Sequence, residues 1–181
     1  MYNLKYNLII LGKHMIKYFI IAIIIFVISF VICKVVISSK RNKEIRNKLN
    51  KLALENNLKI EKGKDCDYLL IGEKTIKVAI CFIPSNSSVT INSRSTWCLR
   101  WGGKRYGRGY PNQRYVNEMV GFLKMKVKED EKKVIILYKD TEKLLKYLNE
   151  SEIATVEFGE VAYDYQVLSF LKIDDYFKEI L

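Results

Sequence analysis

A long apolar run near the N-terminus is the feature that most limits how this chain can fold. Residues 18–33 contain no charged side chain, and with Lys34 snorkelling to the membrane surface the apolar run extends to Ile37. These roughly 20 residues, at about 1.5 Å of rise each, match the roughly 30 Å hydrocarbon core of a bilayer. The side chains at 35–37 are bulky, whereas a signal-peptide cleavage site requires small residues there. We therefore predict an uncleaved transmembrane helix at 16–37, behind a short tail at 1–15.

Basic residues on the two sides of this run indicate its orientation. Three lysines precede it, and six Lys or Arg residues follow it between 40 and 51. Positive charge gathers on the cytoplasmic side of membrane proteins. The prediction is a single-pass protein of the cell membrane, with the lipid bilayer as a partner and the C-terminal domain in the cytoplasm. The three preceding lysines leave the opposite orientation open.

Charge is distributed unevenly behind the run. The chain has a net charge of +11, and residues 38–117 alone carry 17 Lys or Arg against 6 Asp or Glu. No acidic residue occurs from Lys74 to Asn117, whereas the segment 118–181 has an excess of acids. Such asymmetry indicates an anionic partner for the middle of the chain, either DNA or RNA or anionic lipid headgroups.

Hydrophobic periodicity predicts a mixed α/β domain behind the membrane helix. A basic juxtamembrane helix and a first strand occupy 38–64, and the domain proper occupies 65–181. The predicted helices are 41–56, 112–127, 141–149 and a tail that begins at Gln166 or Asp174. The predicted strands are 58–61, 67–71, 76–83, 89–91, 134–138 and 155–158.

The order of these elements resembles the nuclease-related domain family, abbreviated NERD. Asp67 enters an apolar strand, a short turn follows, and the next strand at 78–82 is almost wholly apolar. Trp97 or Trp101, the segment Tyr-Pro-Asn-Gln at 110–113 and the late strand at 134–138 complete the likeness. The family is grouped with the restriction-endonuclease-like PD-(D/E)xK fold, so the resemblance implies a mixed sheet flanked by helices.

The resemblance does not extend to the catalytic residues. In such nucleases an Asp and a Glu bind Mg²⁺ and a Lys assists the attacking water. Asp67 is the remnant candidate, but an ungapped reading places Ile80 and Phe82 in the Glu and Lys positions. A one-residue shift places Ala79 and Cys81 there, and neither pair can hold Mg²⁺. We therefore expect a catalytically silent copy that needs no cofactor.

Two other kinds of chemistry were weighed. An active nuclease, with Mg²⁺ as its cofactor, remains an alternative if Glu118 or Glu73 replaces the missing ligand. A zinc site is not expected, because the only histidine, His14, precedes the apolar run and no two cysteines are spaced as C-x-x-C.

Basic and aromatic side chains alternate through the segment 94–115. Arginine and lysine neutralise phosphates, and aromatic faces stack on bases. The candidate nucleic-acid-binding residues are Arg94, Trp97, Arg100, Trp101, Lys104, Arg105, Arg108, Gln113 and Arg114. Three alternatives stay open: tryptophans in the core with arginines on a solvated rim, docking of the segment onto anionic lipid, and a structural protein of a membrane complex without nucleic acid.

Overall fold

A computed structural model of the chain describes residues 2–103, 110–139, 141–149 and 151–180. Side chains are described for the same residues except 2–16, 142 and 178–180. The chain divides into two compact units, Met1–Asn47 and Lys48–Leu181. The division falls inside the first helix.

Helix α1 runs from Tyr2 to Glu55. The residues predicted to form a tail are therefore helical from Tyr2 onward. Within α1, the part Lys17–Glu55 contains an 18-residue window with a mean hydropathy of 3.2, none of which is buried. This helix is long and apolar enough to cross a membrane, a property that signal sequences near an N-terminus share.

The end of α1 belongs to the second unit and has a well-defined cap. Asn57 takes a positive φ of 55°, and the Leu58 N–H donates to the Ala53 carbonyl at 2.8 Å. This is the Schellman arrangement, in which asparagine tolerates the left-handed conformation just past the helix. Leu49, Leu52 and Ala53 are buried, as the predicted apolar stripe requires. The cap turns the chain directly into the first strand.

Two mixed sheets form the body of the second unit. The strands are β1 (Lys59–Lys62), β2 (Tyr68–Ile71), β3 (Thr75–Phe82), β4 (Ser87–Ser93), β5 (Thr96–Trp101), β6 (Asn112–Tyr115), β7 (Glu131–Tyr138), β8 (Thr141–Tyr147), β9 (Ile153–Thr155), β10 (Val161–Ala162) and β11 (Tyr165–Ser169). The six-stranded sheet has the order β1-β2-β3-β7-β11-β10, and the five-stranded sheet the order β6-β5-β4-β8-β9. β3 lies parallel to β7, and their continuations β4 and β8 lie parallel in the other sheet.

The main core lies between the two sheets. Its side chains come from alternate positions of the strands, such as Ala79 and Cys81 of the first sheet and Val89 and Leu99 of the second. The short helix α2 (Val120–Lys124), preceded by a 3₁₀ turn at Asn117–Met119, adds Phe122 and other side chains.

The other face of the six-stranded sheet is buried by helices. Its outward positions, among them Val78 and Val134, are buried, as are Leu49 of α1 and Phe177 of α3 (Ile173–Ile180). Lys48 joins these helices through an ion pair to Asp174 at 3.0 Å. The structure is thus mixed α/β, with helices on one face of the larger sheet and a second sheet on the other.

Two predicted helices are wrong. The segment predicted as a helix at 112–127 begins as strand β6 and contains only the 3₁₀ turn and the five residues of α2. The segment 141–149 is strand β8, which pairs with β4 and β9. Strand β6 pairs with the preceding strand β5, and β8 pairs with β4 from more than 50 residues away; such pairing overrides weak local preference. The predicted tail helix begins at Ile173, close to the Asp174 alternative, because Gln166 lies in β11.

Candidate functional site

Asp67 continues the β2–β3 ladder with both its backbone and its side chain. Its N–H donates to the Val78 carbonyl at 2.9 Å, and its Oδ2 accepts the Ile80 N–H at 2.7 Å. The Asp67 carboxylate therefore accepts a hydrogen bond that a backbone carbonyl would accept if β2 continued as a regular strand. One of its two oxygens is committed to the backbone, which is a structural role for this side chain.

The register decides which residues share a face with Asp67. Tyr68 pairs with Val78, so Asp67 lies opposite Ala79. Ala79 and Cys81 point into the core between the sheets, while Ile80 and Phe82 point to the other side. The side chains beside Asp67 are therefore a methyl group and a thiol, and burial raises the pKa of the Cys81 thiol to about 12.

An open pocket of about 770 Å³ begins at Asp67. Its wall includes Asp65 and Ala79, together with Glu118 and Lys124 from the region of α2. Glu73, the other proposed substitute ligand, lies at a different pocket, beside Asn57 and Lys74. Of the two alternatives, the fold brings only Glu118 to the Asp67 side.

Glu118 is already held by an arginine. Arg114 donates to both of its carboxylate oxygens, at 3.1 and 2.8 Å. This hydrogen bonding lowers the pKa of Glu118 and raises that of Arg114. Within the described residues, no three His, Cys, Asp or Glu side chains are grouped so that they could hold a metal ion.

An Asp67→Ala variant is expected to lower the free energy of unfolding of the second unit by about 1–3 kcal/mol, because the Ile80 N–H loses a charged acceptor. Asp67→Asn keeps an acceptor oxygen and should recover most of the loss. Both tryptophans, Trp97 and Trp101, lie in the second unit, so fluorescence-monitored urea unfolding of the full chain in detergent micelles measures it. Equal losses for the two variants would contradict the ladder role.

The candidate nucleic-acid-binding residues separate into four groups. Arg94 and Arg114 have their charges compensated by carboxylates, Arg94 through two bonds to Asp164 at 3.1 and 2.7 Å. Trp97 is fully buried, so its ring offers no face to a base, and Trp101 is half-buried with part of its side chain packed against the core. Lys104, Arg105 and Arg108 lie outside the described residues.

Arg100 and Gln113 are the candidates that share an accessible surface. They are direct partners across β5 and β6. Since Leu99 points into the core, both side chains point to the opposite side of the five-stranded sheet. Gln113 is exposed, Arg100 is half-buried, and Arg100 forms no ion pair with any residue in the described ranges.

Sequence reasoning missed two further residues on that surface. Lys143 and Tyr147 belong to β8, which was predicted as a helix, and they alternate with the buried Leu144. The sequence gives no clear sign of this strand, because Lys143, Leu145 and Tyr147 do not form a polar face that alternates with an apolar one.

A buried ion pair was also missed. Lys133 directly precedes the predicted strand at 134–138, and its side chain has an exposed fraction of 0% and lies 2.9 Å from Asp164. Its ammonium also donates to the carbonyls of Leu123 and Met125, each at 2.9 Å. Burial lowers the pKa of Lys133, while Asp164 opposes that shift. The three contacts use all three of its protons, which makes it a structural rather than a reactive lysine.

Comparison with known proteins assigns neither a family nor a function to the chain. No protein-family model matches the chain, no curated protein matches it significantly, and no solved structure matches its fold significantly.

Proposed function

We propose that this chain is a single-pass membrane protein whose second unit, on the cytoplasmic side, binds nucleic acid without cutting it. The observation that carries the proposal is the basic segment from Lys74 to Asn117, which contains no acid. That segment forms β3 to β6, and it supplies Arg100 and Gln113, which lie on the side of the five-stranded sheet away from the core. An anionic polymer is the partner that such a surface attracts.

The membrane part of the proposal rests on α1. Its apolar stretch has the length of a bilayer core, and six basic residues follow it within residues 40–51. Lys40, Lys43 and Arg46 among them are exposed. This arrangement favours insertion with the second unit on the cytoplasmic side, where anionic lipid headgroups are a further partner of the basic helix.

The non-catalytic part rests on the surroundings of Asp67. As part of the proposal, we retain the resemblance to a nuclease-related core, in which Asp67 precedes a strand that lies beside an apolar strand. Ala79 and Cys81 share the face of Asp67 and supply no hard oxygen ligand for Mg²⁺. Glu118 is engaged by Arg114. An active nuclease would require that ion pair to open.

The test uses the full chain in nanodiscs of neutral phosphatidylcholine, with fluorescently labelled DNA and RNA oligonucleotides. We expect affinity that falls as salt rises from about 50 to about 200 mM, because bound phosphates release their counterions. Arg100→Gln should weaken binding and reduce the salt slope by about 1. Lys62→Gln removes the same charge from the exposed edge strand β1 and serves as the matched control.

Two outcomes would contradict the proposal. The first is the absence of measurable affinity for any oligonucleotide at the lowest salt. The second is Mg²⁺-dependent cleavage that Asp67→Asn or Glu118→Gln abolishes, which would establish the nuclease alternative instead.

A further inference from the structure

One face of the five-stranded sheet combines basic and aromatic side chains. Val89 and Ile91 of β4 and Trp97 and Leu99 of β5 belong to the core between the sheets. Side chains alternate along a strand, so the positions between them point away from the core. We call this surface the outer face; across the sheet it comprises Gln113, Tyr115, Arg100, Cys98, Ser88, Thr90, Lys143, Leu145, Tyr147, Ile153 and Thr155.

The strand register arranges these residues in rows. One row crosses the sheet at Gln113, Arg100, Ser88 and Lys143, each paired with the next. It carries two cations and no carboxylate; Gln113 and Lys143 are exposed at its ends, Arg100 is half-buried, and Ser88 at its centre is small and buried. Neither cation has an ion pair with a residue that the structure describes. Such a row can follow a phosphate backbone across the strands.

The neighbouring row begins with an exposed tyrosine. Tyr115 pairs with Cys98, followed by Thr90, Leu145 and Thr155. The Tyr115 side chain has an exposed fraction of 57%, although it stands on a strand of the sheet. The next residues of the row, Cys98 and Thr90, have small side chains, and both are buried. The row therefore leaves one face of the ring accessible.

A second tyrosine stands across the sheet. Tyr147 of β8 is half-buried and pairs with Ile153, which is itself 48% exposed. With strands about 4.8 Å apart, β6 and β8 are separated by roughly 15 Å. Tyr115 is two positions from the basic row along β6, and Tyr147 is four positions from Lys143 along β8, about 13 Å away. Two aromatic rings so placed match a ligand that presents several flat faces along a charged backbone.

We propose that the outer face binds single-stranded nucleic acid, with phosphates along the Arg100–Lys143 row and bases stacked on Tyr115 and Tyr147. This inference rests on the proposed nucleic-acid function. A single strand is the ligand that fits, because its unpaired bases expose the faces that tyrosines stack on. In a duplex those faces are hidden, and the face of a five-stranded sheet is too wide to enter a groove and read the base edges as an inserted helix does.

The experiment compares oligothymidine, oligouridine and a DNA duplex as probes of the full chain in phosphatidylcholine nanodiscs at low salt. We expect at least about tenfold tighter binding of the single strands than of the duplex. Tyr115→Leu keeps an apolar side chain of similar size but loses the aromatic face, and should weaken single-strand binding roughly 5- to 150-fold. Tyr115→Phe keeps the face and should bind as the wild type does.

The outcomes separate this inference from the function it rests on. Duplex binding as tight as single-strand binding, or an unaffected Tyr115→Leu variant, would overturn the inference and leave nucleic-acid binding standing. Failure of all three probes to bind would overturn both. If the probes fail while Arg100→Gln and Lys143→Gln reduce capture of phosphatidylserine vesicles by the nanodiscs, the outer face is a lipid surface and both proposals fall.

Discussion

Replacing Asp164 with asparagine is expected to lower the free energy of unfolding of the second unit by about 3–5 kcal/mol. The variant removes the only carboxylate within reach of the Lys133 ammonium, among the described residues, while keeping the shape of the side chain. That ammonium has no exposed surface, so water cannot solvate it once the carboxylate is removed. The carbonyls of Leu123 and Met125 still accept its hydrogen bonds but carry no compensating charge. Urea unfolding followed by tryptophan fluorescence measures the loss.

The pH dependence of the free energy of unfolding of Asp164→Asn distinguishes a buried, unpaired Lys133 charge from a general packing defect. Burial lowers the pKa of Lys133, and Asp164 raises it, so the variant holds a lysine with a still lower pKa. The unfolded chain then binds more protons than the folded one between that pKa and the ordinary lysine value of about 10.4. The free energy of unfolding of Asp164→Asn should therefore rise with pH below about 10.4, more steeply than that of the wild type.

Arg94→Gln is the matched control for this variant. Arg94 is the second partner of Asp164, but its side chain is 48% exposed. Surface ion pairs contribute about 0–1 kcal/mol, so its removal should cost less than about 1 kcal/mol. Similar losses for Asp164→Asn and Arg94→Gln, with parallel pH profiles, would show that Lys133 does not depend on Asp164 for its charge.

The elements with strong local patterns could be predicted from the sequence. The apolar helix, the helical stripe of Leu49 and Leu52, and the continuous apolar strand at 134–138 each show a period that one segment reveals by itself. Burial of Ile135 and Leu137 confirms the last of these. In such segments the hydrophobic periodicity follows from burial of one or both faces. The segment can therefore be assigned without knowing which element it packs against.

The errors fall where a distant partner decides the structure. Strand β8 has the sequence of a weak helix, and its pairing with β4 brings together residues more than 50 positions apart, such as Ser87 and Thr141. The same limit applies to charge. Arg94 looked available in sequence because no acid lies near it, yet Asp164 neutralises it from 70 residues away. A count of charges along the chain does not show which of them remain unpaired after folding.

A Trp97→Phe variant is expected to lower the free energy of unfolding by about 1–3 kcal/mol, and Trp97→Ala by about 3–5 kcal/mol. Trp97 is fully buried between the sheets, and its indole N–H donates to the Tyr165 hydroxyl at 3.0 Å. Phenylalanine loses that bond and part of the packed volume; alanine also leaves a cavity in a core too tightly packed to close over it. Trp101 remains as the fluorescent probe for both variants.

Trp97→Phe also tests whether this aromatic residue of the basic segment packs in the core or stacks on bases. Because the indole is inaccessible, the variant should bind oligothymidine with the affinity of the wild type at temperatures where it stays folded. Tyr115→Leu should do the reverse: its ring is 57% exposed, so stability should change by less than about 0.5 kcal/mol while affinity falls. A loss of affinity in folded Trp97→Phe would mean that the bases reach the core side of β5, and the outer face would then not be the binding surface.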